Sequence, residues 1–138
     1  MAVAQENAQR YGLEAAVTFL LGDWFGGVGD RHGYFDLIVS NPPYISSPNL
    51  ERLPLEVLQY EPREALDGGP DGLDAIRLII ESAAAHLSPG GWLLFEIGYD
   101  QWASVERLMA ATASYADVTV IKDHSGLDRV VRARSKGE

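Results

Sequence analysis

The tetrapeptide Asn41-Pro42-Pro43-Tyr44 constrains this chain more than any other feature. It follows the apolar run Phe35-Asp36-Leu37-Ile38-Val39-Ser40, which predicts a buried strand ending at Ser40. Two successive prolines cannot continue a hydrogen-bonded ladder, so the chain must leave the sheet there. A residue before proline is pushed out of the helical region, which holds Asn41 extended at the strand's carboxyl end. In open α/β sheets, ligands bind at that end of the strands. The loop offers an amide side chain, proline carbonyls and an aromatic face, a set that suits a planar amine or amide better than a phosphate.

Around this loop the pattern alternates. Ala2 to Tyr11 reads as a short helix with Gly12 as its stop, and Val17 to Leu21 as a strand. Gly26 to Asp30 reads as a turn region before the Phe35 strand. Residues 45–71 are Pro-rich and irregular, with a helical turn expected around Leu53 to Leu58. A connection of that length usually has a function. Asp71 is expected to cap a helix through His86, with Leu73, Ile76, Ile79, Ile80 and Ala83 on its apolar side. Ser88-Pro89-Gly90-Gly91 reads as a tight turn, Trp92 to Ile97 as a buried strand, and Asp100 to about Ser114 as a second long helix. Val118 to Lys122 and Arg129 to Arg134 read as a hairpin. The order predicts an α/β fold with a mainly parallel sheet, helices on both faces and a closing antiparallel hairpin.

Composition limits the function classes. One domain spanning residues 1–138 is expected, and the 46% hydrophobic and 22% charged content excludes disorder. A net charge of −9 argues against broad contact with nucleic acid, which needs clustered Lys and Arg. Without cysteine there are no disulfides or thiolate metal sites, and His32, His86 and His124 lack ligand spacing, so no metal is expected. No signal peptide or membrane-length apolar run is visible, and a soluble cytoplasmic protein is the expectation.

Asp36 to Ile45 resembles the active-site strand and loop of amino-methyltransferases that use S-adenosylmethionine. That loop alone fits both enzymes acting on base amines in DNA and enzymes acting on glutamine amides in protein. Tyr60-Glu61-Pro62-Arg63-Glu64-Ala65-Leu66 and Gly69-Pro70-Asp71-Gly72-Leu73 resemble the segment after the loop in the release-factor glutamine methyltransferases. So do Leu87 to Gly91, Phe95-Glu96-Ile97-Gly98 with Gln101, and Lys122-Asp123 through Gly126, Asp128, Arg129 and Val130.

The resemblance implies a class I, Rossmann-like methyltransferase fold and transfer of a methyl group from S-adenosylmethionine. The acceptor would be the side-chain amide nitrogen of the glutamine in a release factor's Gly-Gly-Gln tripeptide. Asn41, Pro42 and Tyr44 would be catalytic, and Asn41, Pro42, Pro43 and Tyr44 would bind the substrate. Asp23 would accept from the adenine amine, Trp24 would line that pocket, and Asn41 would border the methionine end of the cofactor. A capping Asp and a core Trp are equally expected at 23 and 24. For Glu96 the expected role is a hydrogen bond to a neighbouring loop, and Glu61 is left between orienting the loop and capping a turn. Arg129, Arg132 and Arg134 read as a solvated edge strand.

Families of this type open with a strand, a turn of the form acidic-x-Gly-x-Gly-x-Gly and a second strand ending in an acidic residue. Neither appears among the 138 residues. The expectation is an amino-terminally truncated catalytic domain lacking its first two strands, which would lie between the Val17 and Phe35 strands. About five buried aliphatic side chains per strand, at roughly 1.5–3 kcal/mol each, amount to on the order of 10 kcal/mol. Domain stability is only about 5–15 kcal/mol. Marginal stability, an exposed Phe35 edge and weak cofactor binding are expected. A fragment of an enzyme and a non-catalytic, protein-binding remnant both stand as readings. A DNA amino-methyltransferase is weaker, because no basic face or target-recognition segment is visible.

Overall fold

A computed structural model describes residues 1–137. They form two compact units, Met1–Arg31 and the chain from His32 onward. In the first unit, α1 (Ala2–Arg10) stops as expected at Gly12, whose φ of +67° suits glycine. The Gly12 and Leu13 amides donate back to the Gln9 and Ala8 carbonyls, closing the helix end. Ala8 is the one buried residue of α1. The expected strand Val17 to Leu21 is not found. These residues make no ladder, and Val17, Leu20 and Leu21 are exposed. An apolar run becomes a strand only when a partner takes its backbone hydrogen bonds. A 3₁₀ turn, Trp24–Gly27, follows.

The second unit holds a four-stranded mixed sheet in the order β1-β2-β4-β3. The strands are β1 (Phe35–Ser40), β2 (Leu87–Glu96), β3 (Tyr115–Lys122) and β4 (Asp128–Ser135). β1 pairs with β2 in parallel, and β4 pairs antiparallel with both β2 and β3. The helices are α2 (Ser47–Leu50), α3 (Leu55–Tyr60), α4 (Asp74–His86) and α5 (Trp102–Thr112). The long helices α4 and α5 pack on each other and on the sheet. Ile76, Ile79, Ile80 and Ala83 of α4, as expected, join Val105 and Met109 of α5 in the core. Beneath them lie Leu93 and Phe95 of β2, Ala133 and Val131 of β4, and Ile97.

Three local expectations are corrected. α4 begins at Asp74 with Leu73, not Asp71, at the N-cap position. Asp71 instead accepts from the Leu73 amide and pairs with Arg77, one turn inside the helix. Ser88 to Gly91 is not a separate turn but the first half of β2. The parallel register slips there, Phe35 facing Leu87 and Leu37 facing Trp92, with Gly90 at φ +81°. The Ser88 hydroxyl anchors that slip to the Asp36 carboxylate at 3.0 Å. Finally, β4 is an inner strand, so its arginines do not protect an edge. Arg132 and Arg134 lie over the Trp92 ring, 5.1 and 5.9 Å from its centroid, a cation–π arrangement across the β2–β4 pair. Among the described residues, no helix is long and apolar enough to cross a membrane.

Candidate active site

β1 and β2 run in parallel, so their carboxyl ends lie side by side. Ser40 faces Phe95, and the chain departs at Asn41 beside Glu96. Asn41 is exposed, and its side chain makes no hydrogen bond among the described residues. Pro42 is buried, yet its carbonyl accepts from no other described residue, which leaves a spare acceptor next to the open amide. Pro43 and Tyr44 are half-buried. The Tyr44 hydroxyl donates to Glu96 Oε1 at 2.7 Å. This is the hydrogen bond to a neighbouring loop expected of Glu96. Burial, then the Glu96 hydrogen bond and charge, push the Tyr44 phenol above its ordinary range. The ring is therefore held neutral and fixed at its far end.

The chain after Tyr44 is fastened rather than loose. Ile45 forms a parallel bridge with Asp67. Its amide donates to the Leu66 carbonyl at 3.0 Å, and its carbonyl accepts from the Gly68 amide at 2.8 Å. The Asp67 carboxylate accepts from the Ser47 hydroxyl (2.7 Å) and the Gly69 amide (3.0 Å). These bonds, with Arg63, hold it below the usual carboxylate range. Glu61 is exposed at the end of α3, and among the described residues its side chain bonds to nothing in the loop.

Sequence reasoning matched Gln101 to a block but assigned it no role. The structure puts its side-chain amide against the Tyr44 carbonyl at 2.9 Å. An amide residue three positions after a glycine and just before a helix was the available signal. Beside it lies a cleft of about 370 Å³, lined by Tyr44, Asn49, Asp71, Tyr99, Asp100 and Arg129 among others. Arg129 donates to the Ile97 carbonyl and pairs with Asp123 across the hairpin, and its guanidinium also acts on the Tyr44 phenol, against the effect of burial and Glu96.

Asp23 and Trp24 belong to the first unit. Neither structural expectation for them is met. Asp23 occupies the N-cap position but makes no side-chain capping bond, and Trp24 is 42% exposed rather than in the core. Trp24 also holds a φ of +47°, a strained value for a bulky residue. Among the described residues, no cluster of three His, Cys, Asp or Glu side chains could hold a metal.

No protein-family profile matches the chain. It is 49% identical over 134 residues to a release factor glutamine methyltransferase of Geobacter sulfurreducens, covering 97% of this chain and 45% of that protein. It is 46% identical over 138 residues to one of Moorella thermoacetica, covering 100% and 48%. In fold it resembles a methyltransferase from Pyrococcus furiosus, with a TM-score of 0.63 at 21% identity, over 98% of this chain and 56% of that one. Over nearly all of its length this chain is similar in sequence to release factor glutamine methyltransferases, and it spans about half the length of the relatives it matches.

Proposed function

We propose that this chain carries the acceptor-binding part of an S-adenosylmethionine-dependent methyltransferase acting on the glutamine of a release factor's Gly-Gly-Gln tripeptide. One observation carries the reading: an open Asn41 amide and an unused Pro42 carbonyl sit three residues or fewer from an aromatic ring pinned by Glu96. A primary amide has two N–H donors. The Asn41 side-chain oxygen and the Pro42 carbonyl would accept one each, and the Tyr44 ring would lie against the planar group. An amide nitrogen is a poor nucleophile because its lone pair is shared with the carbonyl. Holding both hydrogens out of plane localises that pair, and positioning of this kind is worth roughly 7–11 kcal/mol of barrier.

When bound, S-adenosylmethionine supplies a methyl carbon on a positively charged sulfur. Asn41 would border its methionine end, and within the first unit Asp23 and Trp24 are the residues that the resemblance assigns to its adenine. The glycine-rich turn is not among the 138 residues, so weak binding and impaired transfer are expected of the chain by itself. The extra proton on an N-alkylated amide leaves readily to water, and no histidine base is required.

The open apolar face of β1 favours a second reading, a fragment that binds a protein without catalysis. Leu37 and Val39 are 53% and 68% exposed. Two titrations separate the readings. A Gly-Gly-Gln peptide followed by NMR should shift the Asn41 and Tyr44 signals, and Asn41→Ala should abolish the shift while changing stability by less than about 0.5 kcal/mol. A peptide that moves neither residue refutes the acceptor site. Stoichiometric heat with S-adenosylmethionine excludes the non-catalytic reading, and sequence-specific DNA retention at low salt would replace the glutamine with a base amine.

A further inference from the structure

Gln101 holds the N-cap position of α5, where its side chain makes three hydrogen bonds, all to main chain. Its Oε1 accepts from the Gly98 amide at 2.8 Å. Its Nε2 donates to the Tyr44 carbonyl at 2.9 Å and to the Gly72 carbonyl at 3.1 Å. One side-chain amide therefore joins the loop after β1, the turn before α4 and the turn after β2.

The two partner glycines leave room for it. A Cβ at Gly72, which has φ +77°, would stand 2.7 Å from Gln101 Nε2 and 2.5 Å from the Tyr44 carbonyl oxygen. A Cβ at Gly98 would stand 3.1 Å from Gln101 Oε1. Tyr44 is thereby fixed at both ends, its carbonyl by Gln101 and its hydroxyl by Glu96. The ring between them is the surface on which the acceptor amide would lie.

We infer that Gln101 is a positioning residue for methyl transfer, which sets the main chain of Tyr44 so that the ring, with Glu96 on its hydroxyl, presents one fixed plane to the acceptor amide. The inference deepens the acceptor reading above and rests on it. A displacement of about 1 Å at such a surface can cost on the order of 100-fold in rate.

The test uses the full chain with labelled tyrosines, Tyr44 being assigned through Tyr44→Phe. Gln101→Met removes all three bonds at similar length. Gln101→Glu keeps the acceptor for Gly98 but turns acceptor oxygens toward two carbonyls. In Gln101→Met the Tyr44 phenol, on which Glu96 and Arg129 both act, should titrate closer to its ordinary range, and in both variants a Gly-Gly-Gln peptide should bind about tenfold more weakly, equivalent to roughly 1.4 kcal/mol. Tyr115, whose phenol is pushed up to about 12, reports whether the fold survives. Acidification protonates the new Glu and restores one O–H donor, so Gln101→Glu should recover the wild-type Tyr44 ring shift at low pH, whereas Gln101→Met should not.

Wild-type Tyr44 titration in folded Gln101→Met, or a Gln101→Glu ring shift that does not return to that of wild type at the same low pH, would overturn the inference and reduce Gln101 to a staple between loops. Should Gln101→Met lose its Tyr115 signal, the pH-dependent recovery of Gln101→Glu decides alone. A wild-type chain that ignores the peptide would sink the acceptor reading, while the Tyr44 titration would still show whether Gln101 sets the ring.

Discussion

On one face of the sheet Leu93, Phe95, Val131 and Ala133 are buried beneath α4 and α5. On the other, Leu37 and Val39 are more than half exposed, and Trp92 is shielded by two arginine side chains. The same strand, β2, contributes to both faces. Its alternate residues enter the core, while Trp92 and Leu94 stay half-buried and Glu96 reaches the motif loop at its end. Cohesion is thus concentrated on the helix side, and the candidate chemistry is on neither face but at the rim where β1 and β2 stop. The two functions are separable by mutation, because the groups that would meet a substrate carry little of the buried area.

The widest gap should appear between Phe95→Ala and Trp92→Ala. Phe95 is 1% exposed, and its truncation should cost about 3–5 kcal/mol in urea melts. Trp92→Ala, on the open face, should cost well under half of that. Equal losses would mean that the open face carries as much of the fold as the covered one. Next comes Tyr115→Phe. The hydroxyl donates to the Ile80 carbonyl at 2.8 Å inside the core, so its loss should cost about 1 kcal/mol at neutral pH.

The same variant tests a pH dependence. Burial raises the folded-state Tyr115 pKa to about 12, above its unfolded value. Its contribution is therefore complete below the unfolded value, near 10, and is lost as pH rises through the folded one. Alkaline unfolding between those limits should be shallower in Tyr115→Phe, and an unchanged alkaline limb would reassign it to another group. The smallest effect should come from Val39→Thr, within about 0.5 kcal/mol in monomer stability. Because it makes the open face of β1 more polar, it should lower any self-association seen by sedimentation, and greater association would contradict an apolar cause.

Much of this was readable from neighbouring residues. The limits of β1 followed from an apolar run cut by two prolines, and the buried side of α4 followed from helical spacing. The closing hairpin was readable in the same way. The misreadings share one cause. Val17 to Leu21 has a strand's pattern but no partner here. Ser88 to Gly91 has a turn's composition, yet the β1 neighbour holds it in the ladder. The arginines of β4 look like edge protection until strand order places them inside the sheet over Trp92. In the site, Asn41 to Tyr44 could be found by eye. The partners of Tyr44 could not, since Glu96 lies 52 residues away and Gln101 lies 57 away.

By itself, then, the order of residues determined where α1 and β1 stop and which side of α4 is apolar, because prolines, glycines and apolar spacing act within a few bonds of themselves. It also placed an amide, two imide carbonyls and a phenol in one short loop. Only the folded chain decided which strand is inner, which face is covered and what grips Tyr44. Those outcomes depend on hydrogen bonds between segments far apart along the chain, and no local pattern records which of several chemically equivalent partners closes them.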